Sequence, residues 1–188
     1  GTDCRVNYQL NNNGYPNSNP NQEHVQVPAG EGPRHFAFHP NGKYAYLVTE
    51  IGGHVIAYHY DQATGILTEK QMLSTLPDTY NSLVHAAHIA VTDNGRYVLA
   101  SNRGHNSIAV FKVNESDGTL CCVEITSSEG AFPRHFCFSP DSRYILVTNR
   151  LSNEVTVLEF DAETGHIGRV CWREAVPQPS FVGFRTVD

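Results

Sequence analysis

The chain has 188 residues and a formal net charge of −6, enough polypeptide for one domain or a short array of repeats with its own core. The acidic balance, with no Lys/Arg run, argues against nucleic acid as a partner, because nothing is available to displace counterions from phosphates. No apolar stretch approaches the roughly 20 residues that span a bilayer, so no membrane partner is expected.

In chain order, CRVNYQL (4–10) and HVQVPAG (24–30) read as two strands, joined by the polar loop NNNGYPNSNPNQ. Next comes GPRHFAFHPNGKYAYLVTE (32–50), a β-hairpin with HPNG at its turn. HVIAYHYD reads as a third strand running into DQATG, and a weaker fourth strand closes the unit. The frame then returns without gaps at 85–103, HAAHIAVTDNGRYVLASNR, and at 132–150, FPRHFCFSPDSRYILVTNR. Third strands again follow (SIAVFKVN, EVTVLEFD), with polar glycine turns (NESDG, DAETG). His35, His88 and His135 fall at equivalent positions, as do Glu50, Arg103 and Arg150, at spacings of 53 and 47 residues. A last partial copy, PSFVGF (179–184), matches PRHFCF 46 residues earlier. No segment has a helical period.

Four antiparallel strands repeating about every 50 residues predict an all-β chain, a β-propeller of four-stranded blades. Residues 1–30 read as the end of one blade, 31–82, 83–130 and 131–176 as whole blades, and 177–188 as a closing strand. That makes fifteen strands, about half of a seven-bladed ring. The other half, or another chain, is expected to close it, because unpaired edges and uncovered apolar faces invite association.

Five cysteines, an odd number with no CxxC, read as reduced thiols in a cytoplasmic protein. No leader pattern is visible, though Gly1 is not a natural initiator, which leaves upstream targeting open. Ten histidines include no HxH or HExxH, so neither a metal nor a cofactor is expected.

In a hairpin the start of one strand lies beside the end of the next, which predicts Arg34 opposite Glu50, Ala87 opposite Arg103 and Arg134 opposite Arg150. First strands line a propeller's channel. One rim should therefore gather Arg34, His35, Glu50, His88, Arg103, Arg134, His135 and Arg150. Such a cation cluster on an acidic protein suits an anionic small molecule, since guanidinium forks match phosphate and carboxylate. Arg34 and Glu50 also fit a plain structural ion pair, and the histidines fit blade packing. Arg103 lacks a cross-strand acid and is expected to face ligand.

GPRHFAFHPNGKYAYLVTE, ASNRGHNSIAVFKV (100–113) and PRHFCFSPDSRYILVTN resemble the lactonase-type seven-bladed propellers, which include bacterial-type 6-phosphogluconolactonases and fungal carboxymuconate cyclases. The opening GTD resembles the tail of that family's DLG-x-D segment, and VPQPSFVGF its usual C-terminus. The likeness runs along nearly all of this chain but only the C-terminal half of the family's fold. In the cyclase branch it implicates an Arg and a Glu at the positions of Arg34 and Glu50, a further Arg best matched by Arg103, and a His that would lie upstream of Gly1. Family members commonly carry Glu where this chain has His88.

The resemblance implies a lactone hydrolase acting on 6-phosphogluconolactone in the pentose phosphate pathway. Chemically, His35 or Glu50 is the candidate base, Arg34 and Arg103 are the candidates to stabilise the oxyanion, and Arg134 and Arg150 to hold phosphate, with His88 and His135 beside them. A cycloisomerase is the enzymatic alternative and a non-catalytic binding propeller the other, since one fold hosts many functions.

Overall fold

The computed structural model describes residues 3–185, and every regular element among them is a β-strand. No described helix is long and apolar enough to cross a membrane. Three antiparallel meanders of four strands follow one another. The first orders β5 (Pro33–Phe38), β6 (Tyr44–Thr49), β7 (His54–Tyr60) and β8 (Leu67–Ser74). The second orders β9 (His85–Val91), β10 (Tyr97–Arg103), β11 (Ser107–Val113) and β12 (Leu120–Ser127). The third orders β13 (Pro133–Phe138), β14 (Tyr144–Asn149), β15 (Glu154–Phe160) and β16 (Ile167–Ala175).

The sheets stack face to face, and the strand period of two decides which side chain goes where. Along β6, Tyr44, Tyr46 and Val48 pack with Ala86, Val98 and Phe111 of the next sheet. Their alternates Ala45 and Leu47 pack the other way, against Val25 and Val27 of the N-terminal segment. Along β10, Val98 and Ala100 face the first sheet, while Tyr97 and Leu99 face Phe136, Ile145 and Val147 of the third. Second strands are therefore apolar on both faces, and β6 and β10 are buried throughout. Truncating a side chain such as Phe111 to Ala should cost about 3–5 kcal/mol.

Polar keys lock neighbouring sheets. The Tyr44 hydroxyl donates to the Glu115 carbonyl (3.2 Å), and that of Tyr97 to the Glu163 carbonyl (2.7 Å). Gly118 and Gly165 follow these acceptors at φ +76° and +80°, and a Cβ on either would stand 2.4 Å from the facing tyrosine ring. Only glycine meets both demands.

A second set of keys fixes the strand ends at the rim. Thr49 donates to Glu31 (2.6 Å), which also pairs with His54 (2.9 Å). Asn102 donates to the Thr75 carbonyl and the Ser107 hydroxyl, and Asn149 to the Ser128 carbonyl and the Thr156 hydroxyl. All three anchors are fully buried, and each immediately precedes a rim residue, Glu50, Arg103 or Arg150.

Two expectations need correcting. CRVNYQL is not one strand: it breaks at buried Asn7 into β1 (Cys4–Val6) and β2 (Tyr8–Leu10). β1 pairs with β4 (His24–Gln26), and β2 with β3 (Pro16–Ser18), so the polar loop carries a hairpin of its own. The Asn11 side chain caps that turn by accepting the Asn13 and Tyr15 amides, an Asx geometry that composition alone did not reveal. PSFVGF forms no strand, and no strand is assigned over 177–185. It has no ladder partner among the described residues, and Phe181 lies instead against His135. The described strands therefore number sixteen, not fifteen.

Candidate active site

β5, β9 and β13 are the first strands of their sheets, and β9 packs against both of the others. Each hairpin carries a bulge near its repeated histidine: between Pro33 and His35, beside His88 opposite Ser101, and between Pro133 and His135. A bulge kinks the strand and re-aims its side chains. In the second and third sheets a hydroxyl satisfies the displaced amide: Ser101 accepts from His88 and Thr148 from His135, both at 3.0 Å.

The register set at each turn, one residue off the expected one, and the further one-residue shift of each bulge together overturn the predicted pairings. Arg34 is the extra residue, with Pro33 opposite Thr49, although its Nε still lies 3.5 Å from Glu50 Oε2. His85, not Ala87, lies opposite Arg103. Arg134 is likewise bulged out, with Pro133 opposite Asn149.

Arg103 is corrected too, because it does have an acid, supplied by the neighbouring sheet. Its Nη2 donates to Glu50 Oε1 at 2.6 Å, and its guanidinium also reaches the His85 and Ala86 carbonyls (2.8 and 3.2 Å). At 5% exposure it is buried, with its charge met by Glu50. Glu50 is thus clamped between two arginines. Burial pushes its pKa up, but the Arg103 hydrogen bond and the charges of Arg103 and Arg34 prevail and leave it below the usual carboxylate value. Both of its oxygens are thus engaged by guanidiniums rather than left open to water. Arg34 in turn donates to the Ala87 carbonyl, tying the first sheet to the second.

The three histidines form a column. His35 Nδ1 and His88 Nδ1 are 2.9 Å apart, and the His88 ring stacks on His135 with centroids 3.9 Å apart. Burial first, then neighbouring positive charge, holds all three rings neutral: His35 is lowered to about 4, His88 to about 2, and His135 is lowered as well. Arg134 has no acidic partner among the described residues, and its charge is felt by Arg34 and His35. Among the described residues, the side-chain bond of Arg150 is to Gln178 (3.3 Å), and none links it to the Arg34–Glu50–Arg103 group or to the histidines.

Phe132 is an aromatic that sequence did not single out. It occupies the frame position of Gly32 and adopts the same left-handed backbone, φ +65° against +64°. A left-handed backbone is uncommon for so bulky a residue. Its ring lies 5.2 Å from the Arg103 guanidinium. The FPRHF-for-GPRHF exchange was the available signal. Among the described residues no group of three or more His, Cys, Asp or Glu side chains is placed to hold a metal ion.

Four-stranded sheets stacked around inner strands that carry arginines and neutral histidines define a β-propeller with an anion-suited inner rim. The chain belongs to the family of lactonases with a seven-bladed β-propeller, whose model matches residues 1–184. It is 41% identical over 155 residues to a 6-phosphogluconolactonase of Bacillus subtilis, covering 82% of this chain and 44% of that one. A 6-phosphogluconolactonase of Formosa agariphila is 34% identical over 174 residues, covering 90% and 48%. The solved periplasmic gluconolactonase of Pseudomonas aeruginosa superposes with a TM-score of 0.92 at 31% identity, covering 99% of this chain and 52% of that one. The chain thus spans about half the length of these relatives.

Proposed function

We propose that this chain supplies the site of a lactone hydrolase, acting on an anionic sugar-acid lactone of the 6-phosphogluconolactone kind. The carrying observation is Arg134, a cation without an acidic partner among the described residues, set beside neutral histidines and the Arg34–Glu50–Arg103 clamp. Water attacks the lactone carbonyl carbon and loses a proton to a base. The oxyanion forms near Arg34, the ring C–O bond breaks, and the ring oxygen takes the proton to give the open hydroxy acid. Arg134 holds the phosphate. A phosphorylated substrate does not cross membranes unaided, so the reading includes a cytoplasmic location.

The reading also includes completion of the ring by further blades of a longer polypeptide. Tyr144 occupies the frame position of Tyr44 and Tyr97, whose rings are each covered by a glycine turn of the next sheet. Tyr144 lines an open cleft with Asp141, Phe160 and His166, a shape suited to one more such turn.

The test is hydrolysis of freshly made 6-phosphogluconolactone by the full-length protein, with excess chelator. The expected result is turnover well above the spontaneous rate, lost on Arg134→Ala and retained in chelator. No acceleration with any sugar-acid lactone overturns the proposal.

A further inference from the structure

We infer that His35 and His88 work as a dyad, in which His88 accepts the Nδ1–H of His35 and so presents the His35 Nε2 lone pair to the attacking water. This rests on the hydrolase reading and adds to it the base and the residue that sets the base's tautomer.

The two imidazoles come from equivalent positions on adjacent inner strands and meet edge to face, at 2.9 Å between Nδ1 atoms and 87° between planes. A hydrogen bond between two such nitrogens holds one proton, so one ring donates and the other accepts. His88 cannot turn away. His135 stacks on one side of it at 3.9 Å, and Phe136 meets it edge-on at 4.9 Å.

The charges around His35 choose the direction. Arg34, Arg103 and Arg134 all act on its ring, as does His135, and the one carboxylate of the cluster, Glu50, is already bound to two of those arginines. Three guanidiniums act on His35 and only Arg34 on His88, so the bare outer nitrogen is better placed on His35 and the outer N–H on His88. Nδ1 faces His88 and therefore keeps the proton. Nε2 has no partner among the described residues and is not among the buried unsatisfied atoms, so it is open to water. This is the arrangement a general base needs: one nitrogen held, the other bare.

The balance closes within the dyad. A water O–H bond breaks as its oxygen bonds to the lactone carbon, and the proton goes to His35 Nε2. The imidazolium is stabilised by its bond to His88 and returns the proton to the ring oxygen as the C–O bond breaks. Burial keeps both rings unprotonated at neutral pH, so the lone pair is present and the transient imidazolium is a strong acid toward the leaving oxygen. His88 touches no reacting atom in this scheme; it is a positioning residue.

The experiment is two-bond ¹H–¹⁵N correlation of histidine side chains in the ¹⁵N-labelled full-length protein, with His35 assigned by difference from His35→Gln. The expected pattern at pH 7 is a single tautomer, protonated at Nδ1 and bare at Nε2. His88→Phe keeps a ring on His135 but removes the acceptor, and should convert His35 to a mixed or Nε2–H tautomer. In the lactonase assay the same variant should lose at least tenfold in kcat with KM within twofold, and His88→Asn, which restores an acceptor, should recover part of it. An Nε2–H tautomer in the unsubstituted protein overturns the dyad whatever the variants do. Wild-type turnover by a folded His88→Phe protein overturns it too. The expected tautomer in a protein that hydrolyses no sugar-acid lactone would instead sink the hydrolase reading and leave the dyad's geometry standing.

Discussion

Replacing Arg103 by Ala is expected to unfold the protein more than it weakens ligand binding. Arg103 makes three hydrogen bonds with a charged donor, to Glu50 and to the His85 and Ala86 carbonyls. Losing one partner of a buried ion pair costs about 3–5 kcal/mol, since the remaining charge stays desolvated. Glu50 is 37% exposed at its side chain and keeps Arg34, so water and the second arginine recover part of that loss. The Ala86 carbonyl does not recover its loss as easily, because Ala86 and the guanidinium bonded to it are both buried. A net loss of about 3 kcal/mol follows, which for a chain of this size corresponds to about 6–12 °C in Tm. The assay is urea and thermal denaturation of the Arg103→Ala, Glu50→Gln and double variants. A coupling energy of about 1.5 kcal/mol or more is expected between the two sites. A variant with unchanged Tm, zero coupling and lost anion binding would refute the reasoning and return Arg103 to the ligand.

Arg134→Ala should do the opposite: no acidic partner is lost, so Tm should hold while the Kd for 6-phosphogluconate, by calorimetry on the full-length protein, rises about tenfold or more. Acid should destabilise the fold. A histidine whose folded pKa is depressed contributes stability that is whole above its unfolded pKa near 6.5 and is lost as pH falls below that, because only the unfolded chain then takes the proton; for His88, held near 2, the slope approaches about 1.4 kcal/mol per pH unit below pH 6. Denaturation at pH 7, 6 and 5 checks this, and a flat profile that His88→Phe leaves unchanged would count against it. Gly165→Val should destabilise far more than Gly14→Val, since both have φ near +80° but only Gly165 faces a tyrosine ring; a similar Tm for the two would show that the tyrosine key matters little. Tyr144→Ala should leave these sheets intact yet lower the Tm of the full-length protein, and equal effects in both would remove the case for a docked turn at Tyr144.

The all-β class, the four-stranded unit and the three-fold repeat were legible in the sequence, because alternation, turn chemistry and spacing are local properties that a gapless frame makes countable. So was the gathering of Arg34, His35, Glu50, His88, Arg134 and His135, since equivalent positions in equivalent blades must arrive at one rim. Partner choice was not legible. The turns set the ladders one residue off the expected register, and bulges beside His35, His88 and His135 shift them by one more, so that His85 rather than Ala87 lies opposite Arg103. The acid that holds Arg103 comes from the neighbouring sheet, 53 residues earlier, and a strand-pair argument sees only its own hairpin. The histidine column arises the same way: one ring per blade is written in the repeat, but the 2.9 Å contact and the stack exist only once the sheets pack. Local periodicity determined the sheets and which residues sit at their inner ends. The packing of one sheet on the next decided which charges neutralise each other, which rings stay neutral, and that Arg134 keeps a charge unpaired among the described residues.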